Sequence, residues 1–186
     1  MIPLVDLKAQ YESIRAELEP VVLETLASTQ YVLGEQVEAF EADFAGFTGC
    51  RYAVAVNSGT TALQLALTAA GVGDGDEVIT VAATFVATAA AIIYTGATPV
   101  FVDVEESSYL IDLDQVEAAI TPATKALIPV HLFGRPVDME RVSSIAQRHN
   151  LKVVEDCAQA SGASWAGRPV GSWGDVGCFK IGRAHV

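Results

Sequence analysis

The hydrophobic pattern divides the chain into a helical N-terminal part and a longer part of mixed character. Apolar residues recur at helical spacing from Tyr11 to Leu26, and the pattern breaks at residues 31–34. A second helical pattern begins near Glu35 and ends at Gly49. We therefore expect residues 1–34 to form a helical arm, residues 35–179 to form the main domain, and residues 180–186 to be a separate tail.

From residue 52 onward, short apolar runs alternate with helical segments. The predicted strands are residues 52–56, 77–81, 99–104, 126–130, 151–155 and 174–179, and the predicted helices between them are residues 60–70, 84–94, 113–120 and 139–149. The apolar runs are continuous, which is typical of parallel strands covered by helices on both faces. Such α/β sheets bind ligands outside the carboxyl ends of their strands, so the residues that follow each run are the functional candidates.

Composition and charge limit the class of protein. The 186 residues are 51% hydrophobic and 18% charged, which excludes a disordered chain. The net charge of −12 disfavours binding to nucleic acid or to an anionic membrane surface. Cys50, Cys157 and Cys178 fit neither a disulfide framework nor a zinc motif, and no signal peptide or membrane-spanning run is visible. These features predict a cytoplasmic protein with reduced thiols.

Polar and aromatic residues follow several of the predicted strands. The segment from Asn57 to Thr61 opens a helix and is either a phosphate-binding N-terminus or an ordinary helix cap. Phe85 either stacks on a planar ligand or is a core aromatic residue. His131 is either a polar contact in the cleft or a loop histidine whose hydrogen bonds are satisfied within the protein.

Two adjacent carboxylates, Glu155 and Asp156, end the last strongly apolar run. A buried acid needs a partner, and Asp156 could pair with a protonated aromatic nitrogen of a cofactor, form a salt bridge, or cap the next helix. A dinucleotide site is not indicated, because the glycines at 71, 73 and 75 follow a helix and precede a strand, the reverse of the required order.

Taken together and in order, these motifs resemble the DegT/DnrJ/StrS family of pyridoxal-phosphate-dependent sugar aminotransferases. The resemblance extends over residues 2–179, roughly the first half of a full-length member. The segments that carry it are Pro3–Leu7, Asn57–Leu63, Gly73–Ile79, Thr84–Phe85, Pro129–Gly134 and Glu155–Ala160. The resemblance implies the large domain of a fold-type-I pyridoxal-phosphate-dependent transferase, incomplete in this chain.

The resemblance also implies a role for individual residues. Ser58, Gly59 and Thr60 match the phosphate-binding positions of the family. The residues that match positions around the cofactor ring are Phe85 on one face, Ala158 under the other face, Asp156 at the pyridine nitrogen and Gln159 near the phenolic oxygen. No metal ligand is implied.

The family's Schiff-base lysine is not matched. Residues 174–179 match the segment that leads to it, but Lys180 stands where the family has a phosphate-binding serine, and the lysine's own position is taken by His185. Related ketosugar dehydratases carry histidine there. We expect residues 180–186 to be foreign to the family and this chain to lack a catalytic residue.

The resemblance implies that the parent enzyme transfers an amino group from glutamate to a nucleotide-linked keto sugar, as a homodimer. A ketosugar 3-dehydratase and a catalytically inactive binding or regulatory module are the alternatives.

Overall fold

The structure, a computed structural model, describes residues 6–182. It divides into two compact units, one ending at Ala42 and the other beginning at Asp43. The helices are α1 (Leu7–Ser28), α2 (Glu35–Thr48), α3 (Gly59–Ala69), α4 (Val86–Tyr94), α5 (Leu113–Ala119) and α6 (Met139–His149). The strands are β1 (Glu77–Val81), β2 (Thr98–Val102), β3 (Thr124–Ile128), β4 (Lys152–Asp156), β5 (Ser164–Trp165), β6 (Arg168–Pro169) and β7 (Val176–Cys178).

The N-terminal unit contains α1 and the start of α2. The Asp6 side chain caps α1 by accepting a hydrogen bond from the backbone N–H of Ala9, and Thr29 ends the helix in the left-handed conformation. Both predicted helices are confirmed, including the break between them. Among the helices of residues 6–182, none combines the length and the apolar character that crossing a bilayer requires.

The second unit is built on a five-stranded sheet in the order β2-β1-β3-β4-β7, and all of its strand pairs are parallel. Alternate residues of each strand face two separate hydrophobic cores. Ile79 and Leu127 pack with residues of α5 and α6, whereas Val78 and Ile128 pack with residues of α3 and α4. The predicted fold class, a mostly parallel sheet with helices on both faces, is therefore confirmed.

The predicted strand at residues 52–56 is wrong. Within residues 6–182, this segment belongs to neither sheet, and Tyr52 and Val54 are 71% and 78% exposed. A strand exists only where a neighbour completes its hydrogen bonds, and the apolar pattern of the segment cannot supply that neighbour. The short β5–β6 hairpin was missed because each strand has only two residues.

Strand β7 packs closely against the loop that precedes it. A Cβ atom added to Gly177 would lie 2.4 Å from the Cα atom of Gly171, and Gly171 itself has φ of +84°. The two backbones therefore approach more closely than any side chain permits, and this contact fixes the position of β7 at the edge of the sheet.

We predict that Gly177→Ala destabilises the chain by about 3 kcal/mol, because the new methyl group would overlap the Gly171 backbone. Gly46→Ala is the matched control, since Gly46 lies within α2 with no atom within 4 Å of its added Cβ. That control is expected to stabilise the chain by roughly 0.5–1 kcal/mol. Urea unfolding of both variants measures the difference, and equal midpoints would contradict the close approach.

Candidate active site

All five parallel strands end on the same side of the sheet, its carboxyl-terminal edge, and Asp156 lies at this edge. It is the last residue of β4, and it pairs in register with Cys178, the last residue of β7. Its backbone also pairs with the segment after β3, where the N–H of His131 donates to the Asp156 carbonyl oxygen at 3.1 Å. Asp156 is therefore held between two neighbouring strand ends.

The Asp156 carboxylate is 6% exposed and accepts hydrogen bonds from two groups. The Thr88 hydroxyl donates to Oδ2 at 2.8 Å, and the Ala158 N–H donates to Oδ1 at 3.2 Å. Thr88 is in turn 2.9 Å from the hydroxyl oxygen of Thr84. Thr88 is not among the predicted site residues, although a threonine one turn after Phe85 in an otherwise apolar helix is a signal for such a contact.

Burial determines the electrostatics of Asp156. Loss of water around the carboxyl raises its pKa above the usual range, and the hydrogen bonds from Thr88 and Ala158 oppose this rise only in part. An anionic Asp156 is therefore costly to the folded chain without a cationic partner.

The N-terminus of α3 lies beside the end of β7. Ser58 caps the helix, with its hydroxyl oxygen accepting a hydrogen bond from the Thr61 N–H at 3.1 Å. A Cβ atom added to Gly59 would lie 3.4 Å from the Lys180 Cδ and 3.8 Å from the Phe179 carbonyl oxygen. Since Phe179 directly follows Cys178, the register partner of Asp156, this helix terminus and Asp156 share one edge of the sheet.

Phe85 lies one helical turn before Thr88, at the N-cap of α4. Its carbonyl oxygen accepts a hydrogen bond from the Thr88 N–H at 3.1 Å, and its side chain is 49% exposed. Phe85 is therefore not a core residue, which removes one of the two interpretations of the sequence pattern.

Gln159 follows Asp156 by three residues and has an oriented side chain. Its Oε1 atom accepts a hydrogen bond from the backbone N–H of Phe133 at 3.0 Å. Because a backbone N–H can only donate, this contact identifies Oε1 and leaves Nε2 as the donor end of the amide. Phe133 has φ of +55°, and this left-handed turn directs its N–H to Gln159.

His131 and Glu155 are fully buried and contact each other. His131 Nε2 lies 3.1 Å from Glu155 Oε2, and His131 Nδ1 lies 3.1 Å from the backbone nitrogen of Val137. The loop-histidine interpretation is therefore the correct one for His131, and it is not a polar contact in an open cleft.

The side chains of His131, Glu155 and Cys157 form a buried cluster whose donor atoms lie within 4.8 Å of one another. Both histidine nitrogens already take part in hydrogen bonds, and burial raises the pKa of the Cys157 thiol well above its ordinary value. A histidine ligand needs a free nitrogen lone pair, which neither ring nitrogen of His131 offers here, so these atoms do not indicate a metal site.

Comparison with known proteins identifies the family. The model of the DegT/DnrJ/EryC1/StrS aminotransferase family matches residues 12–180. The chain belongs to this family. It spans about half the length of the curated relatives it matches. The match includes Lys180, whereas His185 lies outside the described residues.

Several of its relatives carry the names of sugar aminotransferases. The chain is 51% identical over 180 residues to the UDP-N-acetyl-3-dehydro-alpha-D-glucosamine 3-aminotransferase of Acidithiobacillus ferrooxidans, covering 97% of this chain and 49% of that protein. The crystal structure of DesV from Streptomyces venezuelae matches with a TM-score of 0.89 and 49% identity, over 92% of this chain and 46% of that one. Spr1654 from Streptococcus pneumoniae, solved in a PLP form, matches with a TM-score of 0.80 and 35% identity, over 85% of this chain and 44% of that one.

We predict that Asp156→Asn stabilises the isolated chain at neutral pH by about 1 kcal/mol. The amide oxygen keeps the hydrogen bond from Ala158, and the amide nitrogen can donate to Thr88, whose hydroxyl is free to turn and donate to Thr84. The variant also removes a buried carboxylate that favours its protonated form.

The raised pKa of Asp156 also makes the stability of the folded chain depend on pH. Because the folded pKa of Asp156 exceeds its unfolded value, the unfolded chain loses this proton first as pH rises. The Asp156 contribution to stability is therefore complete below the unfolded pKa, falls between the two pKa values, and stays lower above the folded pKa. Urea unfolding of both proteins across acidic and neutral pH measures it, and an Asn variant less stable than the wild type at neutral pH would contradict it.

Proposed function

We propose that the chain is the cofactor-binding part of a pyridoxal-phosphate-dependent nucleotide-sugar aminotransferase. The observation that carries this proposal is the buried carboxylate of Asp156, which lies at the same edge of the sheet as the N-terminus of α3. A planar cationic ring with an anionic phosphate matches the charges of these two places.

Asp156 is proposed to pair with the protonated pyridine nitrogen of the cofactor. A cation beside the carboxylate would supply the partner that burial demands and would lower the raised pKa of Asp156. Thr88 holds the carboxylate in position through its hydroxyl. When bound, pyridoxal phosphate supplies an electron sink for the reacting carbon, and Asp156 maintains that capacity by keeping the proton on the ring.

Ser58, Gly59 and Thr60 are proposed to bind the cofactor phosphate. They form the cap and first turn of an 11-residue helix, where backbone N–H groups and the helix dipole both favour an anion. The lack of a side chain at Gly59 leaves room at this terminus, where the aliphatic part of Lys180 packs.

Three residues are proposed to surround the ring. Phe85 is half exposed beside the helix turn that carries Thr88, and its ring is free to stack on one face of the cofactor. Ala158 is small enough for the other face to approach closely. The Nε2 end of Gln159 is the hydrogen-bond donor suited to the phenolic oxygen.

The substrates are proposed from the relatives. Two relatives are named after nucleotide-linked sugars. One is the A. ferrooxidans protein, and the other is the dTDP-3-amino-3,4,6-trideoxy-alpha-D-glucose transaminase of S. venezuelae. We therefore assign a nucleotide-linked keto sugar as acceptor and glutamate as donor to the protein that contains this chain. We also assign to it a homodimeric state and a cytoplasmic location.

Lys180 is proposed to lie at the phosphate end of the site and not to form a Schiff base. Its Nζ donates to the Gly182 carbonyl oxygen at 2.9 Å, and its side chain packs beside Gly59. The chain by itself is then expected to bind the cofactor without a covalent bond and to show no transamination. Borohydride treatment in the presence of pyridoxal phosphate should label Lys180 no more than Lys8, as read by peptide mass mapping. Selective labelling of Lys180 would contradict this assignment.

We predict that Phe85→Ala weakens binding of pyridoxamine 5′-phosphate about tenfold, since an aromatic stacking contact contributes roughly 0.5–1.5 kcal/mol beyond area burial. Phe101→Ala is the matched control, because Phe101 is 50% exposed but lies on β2, away from the Asp156 contacts. Isothermal titration measures both variants. Equal losses in the two variants would contradict the stacking role, and a wild-type chain that does not bind would overturn the proposed function.

A further inference from the structure

Glu155 makes more polar contacts than any role assigned so far requires. Its Oε2 atom accepts from the Gly171 N–H at 2.7 Å, and its Oε1 atom accepts from the N–H groups of Trp173 and Gly174 at 2.8 and 2.7 Å. His131 is the fourth partner, with Nε2 3.1 Å from Oε2. A fully buried carboxylate thus binds a loop that lies sixteen to nineteen residues later in the chain.

The contacts of His131 determine which nitrogen carries the ring proton. The backbone N–H of Val137 can only donate, so Nδ1 is the acceptor and carries no proton. Nε2 therefore carries the proton and donates it to Glu155. Burial alone would raise the pKa of Glu155, but the hydrogen bonds from His131, Gly174 and Gly171 lower it below its usual value. Glu155 is therefore an ionised carboxylate that accepts all of these hydrogen bonds.

The loop that Glu155 binds is in contact with the end of β7. A Cβ atom added to Gly171 would lie 2.4 Å from the Phe179 ring, so the backbone of the loop touches that ring directly. Phe179 in turn precedes Lys180, whose side chain packs at Gly59 on the N-terminus of α3. An unbroken series of contacts therefore leads from Glu155 to the proposed phosphate site.

We propose that Glu155, together with His131, is a positioning residue of this site. It fixes the loop at residues 171–174, and through Phe179 it sets the distance between the end of β7 and the N-terminus of α3. The effect on cofactor affinity rests on the proposed function. The hydrogen bonds of Glu155 are tested separately, by hydrogen exchange. Glu155 and Asp156 are neighbours on β4 and point in different directions, one to support the site and the other to face it.

Replacement by an amide has different consequences at Asp156 and at Glu155. The Thr88 hydroxyl beside Asp156 can reverse its hydrogen bond, but the three backbone N–H groups at Glu155 cannot. In Glu155→Gln, the new –NH2 group must face at least one of these N–H groups in either orientation of the amide. The isosteric change should therefore release the loop without creating a cavity.

The experiment compares Glu155→Gln with the wild-type 186-residue chain by amide hydrogen exchange and by titration with pyridoxamine 5′-phosphate. We expect exchange at Gly171, Trp173 and Gly174 to accelerate at least tenfold, while exchange at Val78 in the core of the sheet stays within about twofold. We expect the affinity for pyridoxamine 5′-phosphate to fall about tenfold at a temperature where the variant is fully folded.

Asp175→Asn is the matched control. It removes one carboxylate charge directly after the loop at residues 171–174, but Asp175 is exposed and accepts from Lys152 and from the Val153 N–H. We expect its effect on exchange to be confined to Val153 and its affinity for pyridoxamine 5′-phosphate to match that of the wild type.

His131→Phe is the second variant, and it keeps the test valid if Glu155→Gln does not fold. It removes one of the four hydrogen bonds to Glu155 and leaves the carboxylate with its three backbone donors. Exchange at Val137 and Gly171 should accelerate, and affinity should fall about threefold.

The outcomes separate this inference from the proposed function. Failure of the wild-type chain to bind pyridoxamine 5′-phosphate overturns the proposed function, and with it the positioning role. If the wild type binds, unchanged exchange at Gly171, Trp173 and Gly174 in Glu155→Gln overturns the hydrogen-bonded tie. Where that variant does not fold, unchanged exchange at Gly171 in His131→Phe overturns it, because Gly171 and His131 share Glu155 Oε2. Faster exchange with unchanged affinity overturns the positioning role. Faster exchange together with lower affinity supports it, provided that Asp175→Asn shows neither faster exchange at residues 171–174 nor a lower affinity.

Discussion

A carboxylate removed from water must be given hydrogen-bond donors or a cation, and β4 ends in two such groups. Glu155 obtains its donors from within the chain, through three backbone N–H groups and His131. Asp156 receives only a hydroxyl and one backbone N–H, and its pKa is raised. The same strand therefore presents one satisfied acid and one that lacks a cation.

The two acids therefore have different proposed roles at the carboxyl-terminal edge of the sheet: Glu155 orders a neighbouring loop, and Asp156 binds the ligand. The bonds to Glu155 order the loop before β7, and the close approach of Gly171 and Gly177 places β7 beside β4. Phe85 precedes Thr88 by one helical turn, Gln159 follows Asp156 by three residues, and the N-terminus of α3 lies beside the end of β7, the strand that pairs with Asp156. Without a ligand, the wild-type chain is then less stable than Asp156→Asn, and a bound cation offsets the free-energy cost of burying the Asp156 carboxylate.

Local patterns predicted most of the fold, and long-range contacts account for what they missed. β1 and α6 match their predicted bounds because a continuous apolar run and a helical stripe are each complete within their own segment. Residues 52–56 have the apolar character of a strand, but pairing depends on a neighbour that composition does not encode. The family resemblance named Asp156 and Gln159, whereas Thr88 and the loop partners of Glu155 come from segments distant in sequence. The cofactor-binding roles remain predictions for all seven residues, namely Ser58, Gly59, Thr60, Phe85, Asp156, Ala158 and Gln159.

The most direct test of the central claim is the protonation state of the ligand ring beside Asp156. Pyridoxamine 5′-phosphate labelled with ¹⁵N in the ring can be titrated into the wild-type chain and observed by NMR at a pH where the free ligand has lost its ring proton. We predict that the bound ring nitrogen shows the chemical shift of a pyridinium and that this shift is lost in Asp156→Asn. A bound ring with the shift of a neutral pyridine, or a pyridinium shift that persists in the variant, would contradict the account.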